Sequence, residues 1–560
     1  MELFKAARFL TVYLLSVSSC LAVEDLSLEK KHALYLMHIA HVDEAITKYQ
    51  EIVKTSGPDF EILRQLGFSL MKQGAKKDPE SRLLAVFGSG MAGSSASLEI
   101  LEEGLSSEEP QTQLAALFFI AQINDDYSDE LLLRAMGSEF LSTRLEACFH
   151  MAAKKHPYAI GHIEALMYRL PPFFKPFFPQ LFALIGNNEA MGPLRRFLSD
   201  PAVAVRIETI HSLVQFGRDD FIPLIRKRLT HSSNAEQEAC AFALGALRDS
   251  SAELELKKIS RASGENTKLA ALKSLYQLGH VSAGLEIEQM AKERNLFAIA
   301  SLGGIPGAED TLAELLYDKN IQVRINAALC LLQRRDRRCL PALKEIFIGD
   351  PRDLAIQPHH SLGKAHQSIQ VVSSAYQHSK DPLFDPAISL ALRENFLTLA
   401  LHLEELDFLQ IARMIVDAKQ NDLIPHLIKL LENLQTEQSI AFLRAQTQKA
   451  GAPLIRDYCN LALFRLKEEG PYEENLIKWI MRQKNEELIR LRPMLGLKSR
   501  QEVSQYSLSA EETSQLLIDS YLALASRQDQ KSIDLVLKAL KEGNEKNRYV
   551  LAGLLIKATE

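Results

Sequence analysis

A fixed interval of about 31 residues limits what this chain can fold into. Counting in that step from Arg82 gives Gln113, Arg144, Lys175, Arg206, Gln237 and Lys268, all long and polar. The column one place further on reads Leu83, Leu114, Leu145, Pro176, Ile207, Glu238 and Leu269. Four places on it reads Val86, Leu117, Cys148, Pro179, Ile210, Ala241 and Leu272, and seven places on Ser89, Ile120, Met151, Phe182, Leu213, Leu244 and Leu275. Offsets of one, four and seven lie on one face of an α-helix. Each unit then carries a turn and a second apolar-periodic stretch, such as DDFIPLIRKRL at 219–229. A unit is therefore a pair of antiparallel helices. Neither helix can bury its stripe alone, so the units must stack. The expected fold is all-α, an α-solenoid of such helix pairs stacked at that interval. The polar column reads as structural, holding carbonyls or acids of adjacent units.

Local signals fit this reading. Asp200-Pro201 and Asp78-Pro79 precede Arg206 and Arg82. An aspartate accepts from the free amides of a helix start, and proline suits the first helical position. The spacing predicts helices that begin there. Pro176 and Pro179 break the columns, so a short or displaced first helix is expected in that unit. Arg324, in YDKNIQVRINAALCLLQRR, and Arg456, in GAPLIRDYCNLALFRL, bring the pattern back further along.

A unit of this length, with Asp-Pro before Val-Arg and an Ala/Leu face behind, resembles the short HEAT repeats related to those of phycobilin lyases. The resemblance is clear over about residues 78–350 and weaker to 560. It implies an armadillo-like helical binding platform or scaffold, and in some members an assistant to enzymes. The stretch HVDEAITKYQEIVKTSGPDFEILRQLGFSLMKQG resembles a tetratricopeptide repeat through Ala45, Tyr49, Pro58, Leu63, Leu66 and Gly67. The expected organisation is residues 1–22 a signal peptide, 23–77 a tetratricopeptide-like helical cap and 78–350 the HEAT solenoid. Residues 351–385 form an irregular insertion, and 386–560 a C-terminal helical repeat segment. A second linker is expected near 499–515.

The leader expectation rests on Lys5 and Arg8 followed by the uncharged run FLTVYLLSVSSCLA. Fourteen residues are too few to span a bilayer, which takes about 20, but they suit the apolar core of an export signal. Cys20-Leu21-Ala22 fits a small-residue cleavage site, with cleavage between Ala22 and Val23. VSSC also resembles a degenerate lipobox, in which Cys20 would be lipidated. The predicted location is the bacterial periplasm or envelope, with a lipid anchor at Cys20 as the alternative. The five other cysteines, Cys148, Cys240, Cys330, Cys339 and Cys459, are scattered and odd in number. That spacing suits buried thiols better than a disulfide framework or a zinc site.

Charge narrows the partners. With 65 basic and 71 acidic side chains the net charge is −6, so no strong field toward nucleic acid or an anionic membrane is implied. Residues 88–93, GSGMAG, spell GxGxxG, but they fall where a repeat helix ends and no second parallel strand follows. His359, His360, His366 and His378 cluster in the insertion without matching cysteine or carboxylate spacing, and read as a polar loop. No P-loop, nucleophile elbow, HExxH or Cys-x-x-Cys occurs.

The expectation is accordingly a non-enzymatic scaffold or adaptor with no catalytic residue, metal or cofactor, binding a protein or peptide along the solenoid groove. The alternatives are a maturation factor for an enzyme or cofactor-bearing protein, and a metal-dependent enzyme using residues 351–380. The candidate partner site is the run PPFFKPFFP at 171–179. Phe182 falls on the column seven places on, and Phe178 on the column three places on that reads Ala85, Ala116, Ala147, Phe178, Thr209, Cys240 and Ala271, both buried, whereas Phe173, Phe174 and Phe177 do not fall on buried columns. Those three either pack into neighbouring units or form an apolar patch for a partner.

Overall fold

A computed structural model describes residues 28–559, except 40, 231, 262–263, 350–354, 357–371, 374–385, 450–451, 494–505 and 510–511. Cys20, Ala22, Val23 and the four insertion histidines lie outside the described residues. The described structure is all-α apart from two short antiparallel strand pairs. Ala355–Ile356 pairs with Val372–Ser373, and Arg490–Pro493 pairs with Tyr506–Ser509. The second pair occupies part of the expected linker near 499–515, and a helix already begins at Glu512.

Four helices, Val203–Gln215, Asn234–Ala246, Glu265–Gln277 and Leu296–Leu302, begin at successive steps of the sequence interval. Ile222–Leu229, Glu253–Ile259 and Val281–Lys292 lie between them as second helices. The apolar columns are the core: Ile210, Leu213, Ala241, Leu244, Leu269, Leu272 and Leu275 are all buried. Val203–Gln215 packs on Asn234–Ala246 and that helix on Glu265–Gln277, whereas Leu296–Leu302 is joined to Glu265–Gln277 through Val281–Lys292, so each apolar stripe is covered by a neighbouring element.

The polar column has a structural task. The guanidinium of Arg206 donates to the carbonyls of Asp200 (2.7 Å) and Pro201 (3.0 Å). Arg144 donates likewise to Ser138 and Glu139, and Arg324 to Asp318 and Lys319. Gln113 reaches Ser107 in the same way. The side chain thus ties down the turn that leads into its own helix, so the carbonyls it satisfies belong to its own unit and not, as expected, to an adjacent one. Its far side faces the next unit: Arg206 pairs with the buried Glu236 at 2.6 Å, and Arg228 meets the same carboxylate at 2.7 Å.

The two Asp-Pro pairs behave differently. Asp78 caps Pro79–Ala92 by accepting from Ser81 N, with Pro79 in the first turn. Asp200 does not cap its helix, which begins only at Val203. It accepts from Ala202 N (2.9 Å) and from Lys175 (2.5 Å), forming a turn ahead of the helix. The expectation for Asp200 is corrected: Arg206 fixes the lead-in turn, and the helix starts past Pro201, at Val203.

Contacts divide the chain into two compact units. One is continuous, residues 151–468. The other joins residues 1–150 with 469–560. In that second unit the last helix, Arg548–Thr559, packs against Phe60–Lys77 and Pro79–Ala92. Glycines permit the approach. A Cβ on Gly88 would stand 2.2 Å from the Tyr549 carbonyl oxygen, and one on Gly553 would stand 1.9 Å from the Gly88 carbonyl oxygen. The GxGxxG string therefore lies at the end of the helix Pro79–Ala92, where Gly88 serves a close helix crossing and Gly93 (φ +67°) ends the helix. The tetratricopeptide-like residues Ala45, Tyr49, Leu63 and Leu66 are buried in this unit. Gly67 faces Ile556 of the last helix.

Candidate functional site: an exposed aromatic segment

The unit with Pro176 and Pro179 opens on a 3-10 turn, Pro172–Phe177, followed by the short helix Phe178–Ile185. Pro171, Pro172, Pro176 and Pro179 remove backbone donors and forbid a longer first helix. Phe178 and Phe182 fill the core as their columns predict. Phe173 is 69% exposed and Phe177 64% exposed, with Phe174 half-buried between them. Ring centroids of Phe173 and Phe174 lie 4.2 Å apart, and those of Phe174 and Phe177 lie 6.3 Å apart. The three residues thus form one continuous aromatic surface. Lys175, the polar-column residue of this unit, pins the turn to Asp200. Tyr168, at the end of Ala159–Arg169 and 75% exposed, was not singled out from the sequence. Its position just ahead of Pro171-Pro172 was the available signal.

Nothing in this segment is arranged for chemistry, since phenylalanine offers area and quadrupole but no proton or nucleophile. Among the described residues no group of histidine, cysteine and carboxylates is placed to hold a metal. Cys148, Cys240, Cys330, Cys339 and Cys459 are all buried free thiols. Burial pushes the thiols of Cys148, Cys330 and Cys339 up to about 12, and raises Cys240 and Cys459 as well. A thiol so disposed is a small apolar core group, not a nucleophile. Among the described residues no helix is long and apolar enough to cross a membrane.

The fold and this segment define an all-α chain of stacked helix pairs with an apolar surface feature. No family model matches it, and no curated protein does. Solved structures do. Human deoxyhypusine hydroxylase matches at 14% identity and a TM-score of 0.21, over 55% of this chain and 96% of that one. She4p matches at 13% identity and 0.21, over 94% and 83%. The AP-3 complex matches at 12% identity and 0.26, over 94% and 93%. Likeness this distant assigns no activity or partner. It does correct one expectation. The absence of catalytic motifs does not make the chain a non-enzyme, because one of the matching helical chains is a hydroxylase.

Proposed function

We propose that this protein is an exported binding scaffold that captures a protein partner through the aromatic segment Pro172–Phe177. The observation that carries the reading is the pair of exposed phenylalanines, Phe173 and Phe177, bridged by Phe174 and fixed in place by Lys175. Exposed aromatic surface costs solubility, and clustered aromatics are the usual anchors of protein interfaces. Stacked helix pairs supply the rigid support such anchors need. Export is supported by the basic start and apolar run within positions 1–22.

The test is affinity capture from the native envelope with the wild-type chain and with the double variant Phe173→Ser/Phe177→Ser. Loss of a reproducible partner, with helical circular dichroism and Tm unchanged, supports the proposal. Equal recovery by both chains would remove it. Mass spectrometry of the same bait reads its first residue. A start at Val23 or a lipidated Cys20 supports export, and an intact Met1 overturns it.

A further inference from the structure

Five places past the polar column, successive units carry Phe242, Lys273 and Gly304. Lys273 stands over the Phe242 ring, 5.9 Å from its centroid. The next residue in the column, Gly304, has no side chain with which to cover Lys273. The result is a cleft of about 580 Å³ lined by Arg248, Lys273, Tyr276, Val281, Ser301 and Ile305, among others. Among the described residues no carboxylate lines it.

Among the described residues neither cation in the cleft has an acidic partner. Asp249, next to Arg248, is held by Arg226 through both oxygens at 2.7 Å. Glu253 is taken by Lys257 (2.5 Å) and His280 (3.0 Å). The helix Val281–Lys292 also opens at the cleft. It has no side-chain cap and no acidic residue in its first turn; the Ala283 amide is bonded to the His280 carbonyl (3.0 Å), which leaves the first two amides, those of Val281 and Ser282, to meet a ligand. Lys273 is half-buried, and desolvation lowers its ammonium to about 8. A cation partly withdrawn from water, with an aromatic face beside it and no carboxylate, opposes folding. The wall around it carries Arg248, Gln277 and Ser301 beside the apolar Tyr276, Val281 and Ile305, and offers the ammonium no anion. The cleft is the size of a small-molecule site.

We propose that this cleft binds a small organic acid. The carboxylate would lie against Lys273, Arg248 and the amino end of Val281–Lys292, and the apolar body against Tyr276, Val281 and Ile305. The inference is independent of the aromatic segment.

Calorimetric titration of the full chain with benzoate, and with the neutral isostere benzamide, tests it. Saturable benzoate binding at least tenfold tighter than benzamide is expected, and it should weaken tenfold or more in Lys273→Met. Gly304→Leu provides a second variant. A Cβ there meets nothing closer than 3.7 Å, so the side chain enters the cleft without backbone strain and should block binding in a folded chain. A short peptide ending in phenylalanine, free acid against amide, distinguishes a chain terminus from a free acid as the source of the carboxylate. Equal binding of benzoate and benzamide, undiminished benzoate binding in both variants, or binding of inorganic phosphate alone would overturn the assignment.

Discussion

Lys273 shows how one residue sets stability against use. Its ammonium titrates near 8 in the fold and near 10.5 unfolded, so it opposes folding by ~3 kcal/mol at neutral pH. Desolvation is the larger influence, and Cys330 acts weakly in the opposite sense. The sign follows from proton counts. Between about pH 8 and 10.5 the unfolded chain binds the extra proton, so stability from this group rises with pH over that window. Lys273→Met should therefore raise Tm at pH 7 and show little gain at pH 10.5, as scanning calorimetry at both values would reveal. No gain at pH 7 would mean that the ammonium is better solvated than its surroundings imply. Glu236 is the opposite case. Burial pushes its carboxyl up, but hydrogen bonds from Arg206 and Arg228 outweigh that and hold it below the usual range. Its contribution is present above the ordinary glutamate pKa and is lost as pH falls through the lowered one.

At the scale of single elements, proline and glycine decide most of what departs from a plain helix pair. Pro172, Pro176 and Pro179 turn one first helix into a 3-10 segment with a short helix behind it, and so expose Phe173 and Phe177. The repeat columns made that break legible, along with the burial of Phe178 and Phe182. They left open whether the remaining phenylalanines were covered, because exposure depends on which neighbours arrive. Gly88 and Gly553 allow two helices to touch backbone to backbone. Gly553→Leu should destabilise the unit that contains it by ~1–3 kcal/mol or more, the usual cost of overpacking. Urea unfolding with a probe in the helix Pro79–Ala92 would read that loss. An unchanged midpoint would show that the crossing has slack.

For the molecule as a whole, the first and last described helices, Leu28–His38 and Arg548–Thr559, belong to one unit, although all of the other unit lies between them in sequence. Val550, Leu554, Leu555 and Ile556 of the last helix are buried, largely against Phe60–Lys77 and Pro79–Ala92. Deleting residues 548–560 strips the cover from those helices. Hydrogen exchange should then quicken across residues 60–92, while Val203–Gln215 and Asn234–Ala246 keep their protection. Equal protection at both ends of the comparison would show that the N-terminal helices stand without the last one.

The sequence by itself determined the helix-pair architecture and the register of its buried faces. Both follow from a spacing of one, four and seven, and local periodicity carries that information. The tertiary structure decided that the last helix covers the first ones, that GSGMAG ends a helix whose Gly88 lies in a close crossing, and that Gly304 leaves Lys273 uncovered. Those facts depend on which surfaces meet across long separations, and a one-dimensional pattern holds no record of a neighbour it does not adjoin.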